Sequence, residues 1–173
     1  QYAIHLGDYI YEYASTGYAS DQAAKLGRVS DPSNEILSLA DYRKRYAQYR
    51  SDPDLQTLHA KMPMITVWDD HESANDAWKD GAQNHDPTTE GTWAARRAAA
   101  LAVYHEWMPI RTAADRSVIY RSFDFGNLLS LHMLDTRLLG RDQQIPIEDL
   151  AGLSGAAKQA AALSSFSAPT RQL

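Results

Sequence analysis

Two short apolar runs rich in β-forming residues lie in the first half of the chain, at residues 2–6 and 64–68. Runs of this length and composition predict buried strands. Each run ends in acidic residues: Asp8 follows the first, and Asp69 and Asp70 follow the second. Because open α/β sheets bind ligands beyond the carboxyl ends of their strands, we expect these acids to meet in one crevice.

Apolar residues at helical spacing mark three further segments. Residues 38–50 carry four such positions among four basic residues, which predicts an amphipathic helix with a basic outer face. Asp52 and Pro53 suit the cap and the first position of a second helix over residues 53–61. The Ala-rich residues 93–107, with a proline soon after them, predict the third helix.

The remaining segments predict a hairpin and two long loops. Residues 118–123 and 128–134 are rich in β-forming and apolar residues and predict two strands, joined as a hairpin across residues 124–127. Residues 15–34 and 73–92 are polar and show no sustained period, so we expect loops, the second of them over the crevice. The order of strands and helices indicates a mixed α/β fold.

Both ends of the chain differ from those of a typical domain. Gln1 lies one residue before an apolar strand, and residues 154–173 form an Ala- and Ser-rich stretch that we expect to be flexible. We therefore expect residues 1–173 to be the central part of one larger domain, with further material on both sides.

The composition narrows the chemistry. With 173 residues, of which 44% are hydrophobic, the chain is long enough for one domain with a core. The formal net charge of −5 argues against a dedicated nucleic-acid binder, because no basic stripe is present to neutralise phosphates. No apolar stretch approaches the roughly 18 residues of a membrane span, so no transmembrane segment is predicted. The absence of cysteine excludes thiolate ligands and leaves oxygen and imidazole groups.

The first acidic segment has the pattern Gly7-Asp8-x-x-Tyr11. A glycine lets the backbone approach a metal or a phosphate closely, Asp8 offers two hard oxygens that can bridge two cations, and a tyrosine can bind trivalent iron as a phenolate. The alternative is that Asp8 caps a turn and Tyr11 packs against its neighbours. The pattern alone leaves both interpretations open.

The second acidic segment, Asp69-Asp70-His71, favours a functional site more strongly than the first. Adjacent carboxylates at a strand end raise each other's pKa unless a cation or a base neutralises them. His71 beside them can protonate a leaving oxygen. A solvated acidic loop fits poorly after so apolar a run. The pattern is not a zinc helix of the His-Glu-x-x-His type, because Asn75 stands where the second histidine would be.

Other charged residues have plainer interpretations. Arg96 either clamps a phosphate or belongs to a solvated helix face, and for Arg97 we favour the solvated face. Asp135 and Arg137 close the hairpin, where such residues more often form a structural ion pair. Asp124-Phe125-Gly126 imitates a kinase signature but lacks the accompanying motifs, so we interpret it as the hairpin turn.

Five segments, in this order, together resemble the PhoD-like alkaline phosphatase/phosphodiesterase family of the metallophosphoesterase superfamily. They are His5-Leu6-Gly7-Asp8-Tyr9-Ile10-Tyr11-Glu12, Asp41-Tyr42-Arg43-x-Arg45-Tyr46, Val67-Trp68-Asp69-Asp70-His71-Glu72, Tyr104-x-Glu106-Trp107-Met108-Pro109-x-Arg111 and Leu134-Asp135-Thr136-Arg137. Five ordered segments are far more specific than any one short match.

The resemblance implies a partial four-layer αββα metallophosphoesterase sandwich, incomplete at both ends. It also implies Fe3+ and Ca2+ as cofactors, with other divalent cations possible, and hydrolysis of phosphate mono- or diesters by a water that the metals activate. The family's ligands before and after this stretch are not in these residues. We therefore expect about half of a site here, and an inactive chain when these residues are isolated from the full-length protein.

The resemblance also implies roles for single residues. Asp8 matches the bridging carboxylate and Tyr11 the iron phenolate. Asp70 stands where the superfamily's Gly-Asn-His-Glu segment has asparagine, and His71 matches its catalytic histidine. Asp69 is a second candidate ligand, because the segment departs from the wider pattern by two adjacent aspartates. By its position before the fourth segment, Arg96 is the candidate phosphate contact.

By the same resemblance, the protein is expected to be secreted, periplasmic or at the cell surface, with small-molecule phosphate esters as its partners. No nucleic acid is expected as a structural partner, and the oligomeric state is left open. Two other functions remain alternatives: a non-catalytic calcium-binding or scaffold domain whose acids only order loops, and a metallohydrolase with oxygen ligands that acts on another ester.

Overall fold

The computed structural model describes residues 1–108, 110–111, 114–145 and 153–166. Within these ranges it contains four strands and four helices. In chain order they are β1 (Ala3–His5), α1 (Leu39–Tyr49), α2 (Pro53–Lys61), β2 (Met64–Thr66), α3 (Trp93–Trp107), β3 (Arg121–Phe125), β4 (Leu129–Met133) and α4 (Gly155–Phe166). The mixed α/β character predicted from the sequence is therefore present.

Strands β1 and β2 pair in parallel, with Ala3 opposite Met64 and His5 opposite Thr66. The pairing continues past β2, because the Val67 amide donates a hydrogen bond to the His5 carbonyl over 3.1 Å. Parallel strands end at the same edge of a sheet. The acidic residues that follow each strand therefore start out as neighbours, as the pattern of apolar runs predicted.

The prediction that both strands are buried is wrong for β1. Ile65 and Thr66 of β2 are buried, but Ile4 and Leu6 are 52% and 70% exposed. Side chains of a strand alternate between the two faces of its sheet. In the part of the chain that the structure describes, one face of β1 is therefore largely exposed.

Helix α1 begins with a capping box, in which the Ser38 hydroxyl accepts from the Asp41 amide and the Asp41 side chain accepts from the Ser38 amide. Tyr42 and Tyr46 are buried, as their spacing predicted. The predicted basic outer face is wrong at Arg45, whose side chain is fully buried. Periodicity of apolar residues does not reveal an arginine that finds carbonyl acceptors inside.

Helix α3 begins after Thr92, whose hydroxyl accepts from the Ala95 amide, and packs against α1. The buried residues of α3 include Val103 and Tyr104. The Tyr104 ring meets Trp68 edge-on, with ring centroids 5.3 Å apart. Helix α3 therefore covers the segment that follows β2 and leads to the acidic residues.

The predicted hairpin is confirmed, but its turn lies two residues further along the chain. Asp124 and Phe125 belong to β3, and the turn is formed by residues 126–128, where Gly126 has a φ of +61°. Glycine takes this left-handed conformation without steric cost. The hairpin is joined to β2 by Arg121, whose Nη2 donates to the Thr66 carbonyl over 2.6 Å.

Residues 15–34 and 73–92 form turns and irregular loops, apart from one isolated bridge between Trp78 and Gly81. The end that we expected to be flexible contains helix α4, consistent with the high helix propensity of its alanines. Residues 167–173 lie outside the described ranges. The described strands form two sheets of two strands each, which does not amount to the four layers that the resemblance implied. Among the helices of the described ranges, none combines the length and the apolar composition that a transmembrane span requires.

Candidate metal centre

Asp8, Asp70 and His71 converge beyond the ends of β1 and β2. One ligand atom from each lies within 4.8 Å of those of the other two. Asp70 and His71 are buried, and Asp8 is partly exposed. Two carboxylates at this separation offer oxygens that hard cations accept, and the imidazole beside them either binds a borderline cation or carries a proton.

A glycine permits this convergence. Gly7 has a φ of +108°, and a Cβ built on it would lie 2.2 Å from the backbone nitrogen of Asp69. No side chain fits there. The two loops that carry the acids therefore touch through their backbones at a position that only glycine allows.

Glu72 ties the same two loops together from the inside. Its carboxylate accepts from the Tyr9 amide over 2.5 Å and from the Asp69 amide over 2.8 Å. The side chain is buried, and burial raises the pKa of Glu72 to about 7. Glu72 is thus a structural residue of the centre that the sequence pattern did not single out.

Asp8 carries two marks of a site built for a ligand. It has a φ of +57°, a left-handed conformation that is uncommon for residues other than glycine. Its Oδ1 is buried and has no hydrogen-bond partner among the described residues, while its Oδ2 accepts from the Tyr11 hydroxyl over 3.2 Å. A buried carboxylate oxygen without a donor is costly unless a cation satisfies it.

His71 is held by a buried carboxylate. Its Nδ1 lies 2.7 Å from Oε2 of Glu12, and the other oxygen of Glu12 accepts from the Asn75 amide over 2.7 Å and from Asn84 Nδ2 over 2.9 Å. Burial alone would lower the pKa of His71, but the hydrogen bond and charge of Glu12 outweigh it and raise the pKa. With Nδ1 bonded to Glu12, Nε2 is the nitrogen left for chemistry.

The sequence analysis did not predict that Glu12 holds His71. Glu12 is the last residue of the first family segment, yet 59 positions separate it from His71. No local spacing reveals such a pair. A carboxylate one residue after a candidate ligand, in a loop that leaves a strand end, was the available signal.

Asp69 points into an ion pair. Its carboxylate accepts from Arg137, with Nε 2.6 Å from Oδ1 and Nη2 3.0 Å from Oδ2. Burial alone would raise the pKa of Asp69, but Arg137 outweighs it and lowers the pKa. Burial raises the pKa of Asp70, and the charge of neighbouring Asp69 adds to this. The Arg137 guanidinium is thus a positive charge that neutralises the adjacent carboxylates, because its Nη2 also lies 3.3 Å from Oδ1 of Asp70.

The predicted pairing of Asp135 with the Arg137 side chain is wrong. Oδ1 of Asp135 instead accepts from the backbone amides of Arg137 and Leu138, over 2.9 and 2.8 Å, and so shapes the turn after β4. This turn brings the guanidinium to Asp69, a partner 68 positions away.

Tyr11 lies beside the three converging residues. Its ring stacks on His71 with centroids 4.2 Å apart, and its hydroxyl donates to Asp8. Burial, followed by the charge of Asp8, raises the pKa of Tyr11 to about 12. The phenol therefore keeps its proton unless a strong positive charge stands next to it.

Arg96 is not among the converging residues. Its Nη2 lies 2.7 Å from Glu35, its Nη1 lies 3.1 Å from Glu90, and its Nε donates to the Tyr42 hydroxyl over 3.2 Å. The side chain is 1% exposed, so the solvated-face interpretation is wrong for Arg96. The same interpretation is wrong for Arg97, which is half-buried and donates to the Leu138 carbonyl over 3.0 Å.

The model of the PhoD-like phosphatase family matches residues 1–173. The chain belongs to this family. It is 43% identical over 145 residues to alkaline phosphatase D of Bacillus subtilis (strain 168), an alignment that covers 81% of this chain and 24% of that protein. A solved structure of PhoD superimposes with a TM-score of 0.71 and 41% identity, over 82% of this chain and 27% of that one. The chain thus spans about a quarter of the length of these PhoD-like relatives.

Proposed function

We propose that the full-length protein carrying these residues hydrolyses phosphate mono- or diesters at a centre that includes Asp8, Asp70 and His71. The observation that carries the proposal is the convergence of these three side chains, one of which has a buried carboxylate oxygen without a donor among the described residues. Membership of a family whose matched relative is an alkaline phosphatase supports the same reaction class.

The donor set fits metal ions. Asp8 and Asp70 would supply carboxylate oxygens, which Ca2+ prefers, and Tyr11 would supply a phenol oxygen, which Fe3+ binds well. Such ions, when bound, neutralise phosphate oxygens and acidify a water. Asp69 is the weaker candidate ligand, because Arg137 already occupies both of its oxygens.

The protein's own groups supply the proton and the orientation. The raised pKa of His71 keeps the imidazole protonated closer to neutral pH, so Nε2 can give a proton to the leaving alkoxide. Glu12 holds the ring and stabilises its positive charge. Burial alone would raise the pKa of Glu12, but hydrogen bonds from His71, Asn84 and Asn75 outweigh it and lower the pKa.

For Arg96 we propose a structural role instead of contact with phosphate. Its guanidinium is engaged by Glu35 and Glu90, and so ties the loop before α1 and the loop before α3 to α3 itself. A phosphate would have to displace both carboxylates to reach it.

The alternative of a non-catalytic calcium-binding or scaffold domain is not favoured. The observation against it is membership of a family whose matched relative is an alkaline phosphatase. The His71–Glu12 pair is compatible with both functions, because a carboxylate also orients histidines that only bind a metal. By family resemblance we also propose that the protein is secreted, periplasmic or at the cell surface.

The test combines metal analysis with turnover. The full-length protein is purified, its metals are measured by elemental analysis, and hydrolysis of 4-nitrophenyl phosphate is followed before and after chelation. We expect iron and calcium, a visible absorption band from iron bound to tyrosinate, and loss of turnover on chelation. Tyr11→Phe should remove the band, whereas Tyr120→Phe, at an exposed tyrosine on the way to β3, should keep it. Cation binding without any ester hydrolysis would instead favour the scaffold function.

A further inference from the structure

Three tyrosine rings pack next to the candidate centre, two of them against the ring of His71. Tyr11 stacks on His71, and Tyr18 stacks on Tyr11 with centroids 5.4 Å apart and ring planes at 18°. Tyr13 is tilted against both ends of this series, 5.5 Å from the His71 ring and 6.0 Å from the Tyr18 ring. Tyr11, Tyr13 and Tyr18 are called the tyrosine wall below.

The outermost ring of the wall is open to solvent. Tyr18 is 68% exposed, although one face of its ring is covered by Tyr11. The loop beneath it is held in place, because the Gly17 amide donates to the Ala14 carbonyl over 2.9 Å and the Ser15 amide donates to the Ser33 carbonyl over 2.8 Å. Tyr18 is thus an aromatic side chain presented at a fixed position beside the centre.

The centre and the wall offer surfaces of opposite chemistry. The converging carboxylates and imidazole suit cations, the phosphate that cations bind and the proton that the leaving oxygen takes up, but they offer no apolar surface to the rest of the alcohol part of an ester. Tyrosine rings supply flat apolar area with a polar tip, and planar rings stack on them. Stacking on an aromatic side chain is tolerant of the identity of the stacked ring.

We propose that the tyrosine wall binds the alcohol part of the substrate, and that the preferred phosphate esters carry a planar aromatic group, as aryl phosphates and nucleoside phosphates do. This inference rests on the proposed phosphoester hydrolysis at Asp8, Asp70 and His71. Tyr18 is its specificity-determining residue, because it is the ring of the wall with the most surface left for a ligand.

The test uses the full-length, metal-loaded protein and three substrates: 4-nitrophenyl phosphate, adenosine 5′-monophosphate and glycerol phosphate. For Tyr18→Ala we expect the ratio of kcat/KM for the aromatic esters to that for glycerol phosphate to fall about tenfold, mainly through KM. Tyr18→Phe keeps the ring and should keep the ratio. Tyr120→Ala removes an exposed tyrosine outside the wall and serves as the matched control.

The outcomes are separable. If the ratio falls only for the nitrophenyl ester, Tyr18 prefers a ring that is bonded directly to the ester oxygen. If it falls only for the nucleotide, Tyr18 prefers a ring that is separated from the ester oxygen by a sugar. Both outcomes support the inference. An unchanged ratio in Tyr18→Ala overturns it, as does a fall of the same size in Tyr120→Ala. If the wild-type protein hydrolyses none of the three esters, the proposed function itself fails. A calorimetric titration with adenosine gives a second readout, in which Tyr18→Ala should weaken binding.

Discussion

Two polar regions meet at Tyr11, and they differ in whether the hydrogen bonds of their charged groups are satisfied. Its side chain belongs to the candidate metal centre, while its carbonyl accepts from the buried guanidinium of Arg45. The other acceptors of Arg45 are the carbonyls of residues 13, 31, 32 and 34, at 2.9 to 3.4 Å. In the Arg45 region every guanidinium nitrogen has a partner, whereas in the candidate metal centre a carboxylate oxygen of Asp8 has none within the part of the chain that the structure describes.

The difference indicates which region stabilises the fold and which region binds a ligand. A buried charge whose hydrogen bonds are all made holds a loop in place and needs no ligand to stabilise it. A buried charge with an open oxygen, on a backbone in the left-handed region, is a cost to the fold that a ligand can relieve. We therefore expect changes at Arg45 to reduce stability and changes at Asp8 to reduce activity.

The largest effect is expected at Asp8. Asp8→Ala removes the carboxylate that is proposed to bridge the cations, and turnover of phosphate esters by the full-length protein should fall by about a thousandfold or more. Asp8→Asn retains the shape and tolerates the left-handed backbone, so a similar loss there assigns the effect to charge. Asp21→Ala, at an exposed loop acid, is the control. Wild-type turnover in Asp8→Ala would contradict the assignment.

The next effect tests the other region. Arg45→Met leaves buried carbonyls in two loops without a hydrogen-bond donor, and the free energy of unfolding should fall by about 3–5 kcal/mol. Lys44→Met, one residue earlier, removes an exposed ion pair with Asp31 and should cost less than about 1 kcal/mol. Denaturant unfolding of the full-length variants measures both. Equal losses at the two positions would show that burial of Arg45 is not what stabilises the loops.

Glu12 lies between the two regions, since it is fully bonded and yet holds a residue of the centre. Glu12→Gln keeps the shape but removes the charge that stabilises protonated His71, so kcat should fall about 10- to 100-fold with little change in KM. Glu106→Gln, at an exposed carboxylate paired with Arg43, is the control. A loss of stability in Glu12→Gln without a selective fall in kcat would make Glu12 a structural residue only.

The sequence predicted the part of this picture that depends on local order. The cap at Asp52 and the meeting of the acids after β1 and β2 follow from short patterns and from the geometry of parallel strands, whereas the pattern places the cap Ser38 inside its helix. The partners of Arg96 and Arg137 do not, because they lie up to 68 positions away and depend on how loops fold over the core. An arginine in a helix carries no local mark that distinguishes a buried guanidinium from a solvated one.

The smallest effect concerns a histidine in the well-bonded part of the molecule. His59 Nε2 lies 2.8 Å from the Tyr9 hydroxyl and 3.2 Å from Arg50, and burial, followed by the charge of Arg50, lowers the pKa of His59. A histidine whose pKa is lower in the folded state favours the neutral form there. Its contribution to stability is present above the unfolded pKa of about 6.5 and is lost as the pH falls through the folded pKa. His59→Gln should therefore reduce the fall in Tm between pH 7 and pH 5, as measured by thermal unfolding at both pH values. An identical fall in the wild type and the variant would show that His59 does not carry this pH dependence.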